Sequence, residues 1–167
     1  ISKLNKILDY FNYRIVNSSS KLVLEKNSFF NEFLIYDKHL KKNNATIFDV
    51  GAHFGITSDS YLKFFNKPNL HCFEPEKSNF DRLQKKHKNK ENVFLNNYAV
   101  GNDNEDKSLY VISDLSSGNS FVRPRNKTGL QNKTVKQTTI DSYCDSKDIR
   151  FIDLLKLDVQ GYEQECL

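Results

Sequence analysis

From Ala45 onward the chain alternates short apolar runs with stretches of helical spacing. Thr46 to Val50, Leu70 to Phe73 and Val93 to Ala99 have the length and residue types of strands, and Ser58 to Phe65 and Ser78 to His87 between them have the spacing of helices. This alternation predicts a parallel sheet with crossover helices. Right-handed crossovers would place the strand ends and the loops that follow them along one edge. Further on, Ser108 to Ile112 reads as a strand. Asp114 to Leu130, with Ser116-Ser117-Gly118-Asn119-Ser120, reads as a long loop. Lys133 to Thr138 is expected to be a strand, Thr139 to Cys144 a short helix and Leu154 to Asp158 a buried strand. Glu163 to Leu167 reads as the first turns of another helix.

Upstream, Leu4, Ile7, Leu8 and Phe11 form one helical stripe and Phe29, Phe33, Tyr36 and Leu40 another, on either side of a short Leu22-Val23-Leu24 segment. The chain therefore divides into an N-terminal helical segment, residues 1–44, expected to cover one side of the sheet, and an α/β core, residues 45–167.

Composition narrows the class without naming a function. The chain has 167 residues, the size of one domain, and its hydrophobic fraction of 38% is lean. Lys and Arg number 25 against 21 Asp and Glu, a mild and scattered excess that does not favour a nucleic-acid partner. Cys72, Cys144 and Cys166 lie far apart, without zinc or redox spacing, which fits thiols in a reducing compartment. No run approaches the ~18 apolar residues of a membrane span and no signal segment opens the chain, so a cytoplasmic location is expected. The chain has no methionine and starts at Ile1. Together with the short C-terminal helical stretch, this suggests a piece of a longer protein, truncated within the sheet.

Candidate chemistry falls at the predicted strand ends. Asp49-Val50-Gly51-Ala52-His53-Phe54-Gly55 follows an apolar strand and precedes a helix; Gly51 and Gly55 would allow a tight turn and close approach of a ligand to the backbone. The spacing is Gly-x-x-x-Gly, not the Gly-x-Gly-x-x-Gly of dinucleotide binding. A loop with a strand-end acid and fewer glycines suits S-adenosylmethionine, which carries no phosphate. Glu74 ends the next apolar run, 74 − 55 = 19 residues beyond Gly55, where a carboxylate can accept hydrogen bonds from two ribose hydroxyls. Asn97, Tyr98 and Ala99 would reach the same edge one strand over, near an adenine. Asp158-Val159-Gln160-Gly161-Tyr162-Glu163 repeats the pattern of acid, glycine turn and helix start. Asp158 would either hold the ammonium of the cofactor or accept a proton from an acceptor hydroxyl. Glu163 can serve as a partner of the helix dipole. His53 could act as a base or simply pack on a neighbour, and His39, His71 and His87 have no metal-ligand spacing.

These segments, with Thr138-Thr139-Ile140-Asp141 and the Ser-rich stretch Ser116 to Phe121, resemble the FkbM family of methyltransferases from about Thr46 to the end. The resemblance implies a Rossmann-like class I methyltransferase sheet, S-adenosylmethionine as cofactor, and O-methylation of a hydroxyl on a sugar or other small-molecule acceptor. It carries cofactor contacts to Asp49, Gly51, Glu74 and Asp158. Ala52, Gly55, Asn97 and Ala99 complete the expected cofactor set, and Asp158 and His53 are the candidate catalytic residues. Family members often have Glu and His where this chain has Gln160 and Tyr162, so a base role for that His does not transfer. Class I methyltransferases carry three further strands after the one that ends at Asp158, which leaves Leu154 to Leu157 expected at a sheet edge. Two other readings stay open: a nicotinamide oxidoreductase on a related sheet, and a non-catalytic cofactor-binding module. Neither the acceptor nor the oligomeric state follows from the sequence.

Overall fold

The computed structural model describes residues 14–18, 21–25, 43–113, 116, 118–123 and 129–167. The chain forms two compact units, residues 1–41 and 42–167. In the first, β1 (Arg14–Ser18) and β2 (Lys21–Glu25) form an antiparallel hairpin that contains the Leu22-Val23-Leu24 segment. The two helical stripes proposed on either side of it lie outside the described residues.

The second unit is built on four parallel strands in the order β10-β3-β4-β5: Leu154–Leu157, Thr46–Val50, Asn69–Phe73 and Val93–Asn96. Helix α1 (Ile56–Phe64) connects β3 to β4, and α2 (Lys77–His87) connects β4 to β5. Ile47, Phe48, Val50, Leu70 and Phe73 are buried, as strands with neighbours on both sides require. The α/β class with a parallel sheet and crossover helices is thus the one expected.

The Val93–Ala99 run breaks where it was expected to continue. Strand β5 stops at Asn96, and β6 (Ala99–Val100) pairs instead with β9 (Gln137–Thr138). The side chain of Asn96 donates to the carbonyls of Cys72 and Phe94, and that of Asn97 to the carbonyls of Glu74 and Pro75. Asparagines that bond backbone in this way compete with the strand ladder and favour a turn. Similarly, the predicted strand Lys133 to Thr138 is two strands, β8 (Gln131–Val135) and β9, and β8 pairs antiparallel with β7 (Lys107–Val111). Helix α3 (Ile140–Ser146) follows, with Thr139 accepting from the Ser142 amide at 3.0 Å. The chain closes with a 3-10 turn at Gln164–Cys166 rather than the α-helix expected there.

On one face of the sheet, Phe48, Phe73 and Tyr143 pack ring against ring and meet Val50, Val100 and Cys166. His71 is buried beside them, 2.8 Å from the Tyr143 hydroxyl and stacked on Phe94. Burial, with the Lys147 charge, lowers its pKa to about 4. The folded chain keeps this ring neutral, whereas the unfolded chain protonates it below about 6.5. The stabilisation is therefore complete above pH 6.5 and is lost as pH falls towards 4, by about 2 to 3 kcal/mol. We expect the difference in melting temperature between the native chain and His71→Gln to shrink between pH 7 and pH 5. A constant difference would remove this account.

Among the described residues no helix is long and apolar enough to cross a membrane, and no group of three or more His, Cys, Asp or Glu could hold a metal. Cys72, Cys144 and Cys166 are free thiols.

Candidate functional site

The strands β3, β4 and β5 run outward in one direction, and β10 lies on the other side of β3. The order therefore reverses beside β3, and the crevice outside the carboxyl ends of such strands is where open α/β sheets bind ligands. The ends of all four strands carry the residues singled out from the sequence: Asp158 after β10, Gly51 after β3, Glu74 after β4 and Asn97 after β5.

Gly51 has φ +76° and its amide, with that of Ala52, donates to the Phe73 carbonyl at 3.0 Å. A Cβ on Gly51 would lie 2.1 Å from the carbonyl oxygen of Asp158. This glycine thus serves the approach of β10 to β3 as well as any ligand. Gly55, also at φ +76°, would place a Cβ 2.7 Å from Leu83 and 2.8 Å from the His87 ring. Its absent side chain lets α2 pack against the loop, a packing requirement in addition to the tight turn expected there. Ala52 is buried at the same turn.

Asp49 is wholly buried inside β3. One carboxylate oxygen accepts from the Ser58 hydroxyl at 2.7 Å, so the first turns of α1 hold it. The other lies 3.0 Å from the Lys156 ammonium but takes no aligned hydrogen bond, which makes that contact coulombic. Lys156 also donates to the Gly51 carbonyl at 3.0 Å and lies 3.6 Å from Asp158. The side chain of Lys156 is 13% exposed and that of Asp158 is 56% exposed. Lys156 thus joins the acids of two different strands. Its only signal in the sequence was a lysine inside the apolar run Leu154-Leu155-Lys156-Leu157.

Glu74 is buried at the end of β4, with one oxygen accepting from the His53 amide at 2.9 Å and the other from the Glu76 amide at 3.0 Å and the Asn79 side chain at 3.4 Å. Burial pushes its pKa up to about 7 against the pull of those donors. Asn79 was not anticipated. It is almost fully buried, and its Nδ2 also reaches the Ser116 carbonyl while its Oδ1 finds no partner. The adjoining Glu76 caps α2 by accepting from the Asn79 amide and pairs with Lys133 at 2.8 Å.

His53 lies at φ +50° in the loop; its ring rests against that of Phe54, with centroids 3.6 Å apart, and its amide is one of the donors to Glu74. Asn97 commits its amide group to the Glu74 and Pro75 carbonyls, which fixes the loop behind Glu74 and leaves only its oxygen for a ligand. Ala99 sits in β6 within a separate apolar cluster with Leu109, Val111 and Val135. Glu163 accepts from the Val159 and Gly161 amides, closing the turn after Asp158. The Ser-rich stretch also reaches this turn: Ser120 donates to the Gln160 carbonyl at 2.7 Å, and Phe121 packs on Tyr162.

A parallel sheet with a glycine turn after the strand beside its reversal point, and acids following that strand's two neighbours, fits an α/β domain of the methyltransferase type. The chain belongs to the methyltransferase FkbM domain family, whose profile matches residues 49–167. No curated relative and no solved structure matches it.

Proposed function

We propose that this domain transfers a methyl group from S-adenosylmethionine to a hydroxyl of a sugar or another small-molecule metabolite. The observation that carries the reading is Glu74: a buried strand-end carboxylate, held by two backbone amides, one strand from the glycine turn.

The donor set fits a ribose-bearing cationic ligand. An ionised carboxylate offers about four acceptor positions, and three protein donors engage Glu74. One ribose hydroxyl can join directly, and a second can replace the weak 3.4 Å contact from Asn79. Towards the other strand end, the Asp49 carboxylate, ion-paired with Lys156 at 3.0 Å, and the exposed Asp158 carboxylate leave a net negative charge for a sulfonium and an ammonium. Bound S-adenosylmethionine supplies an already activated methyl group. The protein's task is then alignment, exclusion of water and handling of one proton. Asp158 is the exposed acid at that edge, and it receives the proton of the acceptor hydroxyl in this reading. The ring of His53 packs on Phe54, and its backbone amide orients Glu74.

Calorimetric titration with S-adenosylmethionine, followed by transfer of a labelled methyl group to a panel of sugars, tests the proposal. Saturable binding and a labelled, base-stable ether product are expected. Binding of NADH instead would favour the oxidoreductase, and cofactor binding without transfer to any acceptor would favour a non-catalytic module.

A further inference from the structure

We infer that Lys156 is a specificity-determining residue that sets how strongly the site separates cationic S-adenosylmethionine from S-adenosylhomocysteine, the product left after transfer. The inference rests on the proposed cofactor. Its basis is the charge arrangement at the ends of β10 and β3. A fully buried carboxylate, Asp49, lies 3.0 Å from the Lys156 ammonium, and an exposed one, Asp158, lies 3.6 Å from it. Among the described residues, Lys86 on α2 turns to Asp59 and Lys133 on β8 to Glu76, the residue that caps α2. The three groups together carry one net negative charge, where the two acids alone would carry two.

S-adenosylmethionine has one net positive charge, located on the sulfur that loses its methyl group. S-adenosylhomocysteine is net neutral, and its nucleoside and amino-acid parts are otherwise the same. Groups that touch the shared parts therefore change both affinities together, whereas the net charge at this edge acts in addition on the sulfonium that only one of them carries, and so changes their ratio. The field of partly buried charges is weakly screened, so a unit change is felt over several ångströms. By cancelling one of the two acids, Lys156 moderates the preference for the cation and lets the charged substrate bind without holding the site too negative when it is empty. It also pins the Gly51 carbonyl, a positional role that should affect both ligands equally.

The test measures dissociation constants for both nucleosides by calorimetry at about pH 7.0, below the ordinary range of an α-amino group, for the native chain, Lys156→Gln and Lys156→Arg. The Gln variant keeps a donor for the Gly51 carbonyl and loses the charge. We expect it to raise the affinity ratio in favour of S-adenosylmethionine by about fivefold or more, and Arg to leave the ratio near the native value. An unchanged ratio in the Gln variant, even with both affinities lowered, would overturn the inference while leaving the cofactor reading intact. If neither nucleoside binds the native chain, the cofactor reading itself fails. Should Lys156→Gln not fold, Asp158→Asn, at an exposed position, removes one negative charge and should lower the ratio; no change there would equally overturn the inference.

Discussion

Replacing Gly51 by alanine is expected to destabilise the second unit by about 3 to 5 kcal/mol and lower its melting temperature by roughly 10 °C or more. Two costs combine at this position. The left-handed backbone, φ +76°, disfavours any Cβ by about 1 to 2 kcal/mol. The new methyl would also lie 2.1 Å from the Asp158 carbonyl oxygen, a backbone atom that cannot swing aside without moving the end of β10. Gly129→Ala separates the two costs, because Gly129 has nearly the same φ, +75°, and nothing within 4 Å of its Cβ position. That variant should lose only about 1 kcal/mol. Equal losses at the two positions, measured by denaturant unfolding, would mean that β10 does not approach β3 as described. Since Asp158 ends β10, Gly51→Ala should also disturb the site.

How much of this was legible in the sequence depended on what each element asks of its residues. The buried strands were clear because Ile47, Phe48 and Val50 in one and Leu70, Cys72 and Phe73 in the other make each run mostly apolar, as strands flanked on both sides require. The site's location followed from them, since parallel strands joined by helices collect their carboxyl ends on one edge. The break after Asn96 was not legible: Asn97 reads as a turn residue or a ligand contact, and only its long-range bonds to the Glu74 and Pro75 carbonyls decide between them. The tight turn at Gly55 is legible in the sequence, but its packing requirement is not, because Leu83 and His87 lie about thirty residues later in the chain. Lys156 and Asn79 were missed for the same reason. A lysine in an apolar strand and an asparagine in the first turn of a helix acquire their roles from partners on other elements.

Glu74→Gln is expected to weaken S-adenosylmethionine binding by about 30- to 100-fold, the loss of a hydrogen bond of ~2 to 3 kcal/mol to a charged group. The substitution keeps the shape. However, it turns an acceptor that faces the His53 and Glu76 amides into a group with two donors of its own. The sign of the pH effect distinguishes this role from simple packing. Burial raises the Glu74 pKa to about 7 in the free protein, well above its ordinary value near 4.5. The free folded chain therefore binds more protons than the unfolded chain between those values. The contribution of Glu74 to stability is fully present below about pH 4.5 and is lost as pH rises through 7. A ribose hydroxyl that donates to the carboxylate favours the ionised form and lowers the pKa in the complex. Affinity should consequently rise as pH goes from 6 to 8, with a proton released on binding near pH 6.5, detectable by calorimetry in buffers of different ionisation enthalpy. Glu74→Gln should abolish both the rise and the proton release. If affinity is flat from pH 6 to 8 in the native chain, Glu74 does not receive the ribose. The buried carboxylate would then be only the anchor that the His53 and Glu76 amides require.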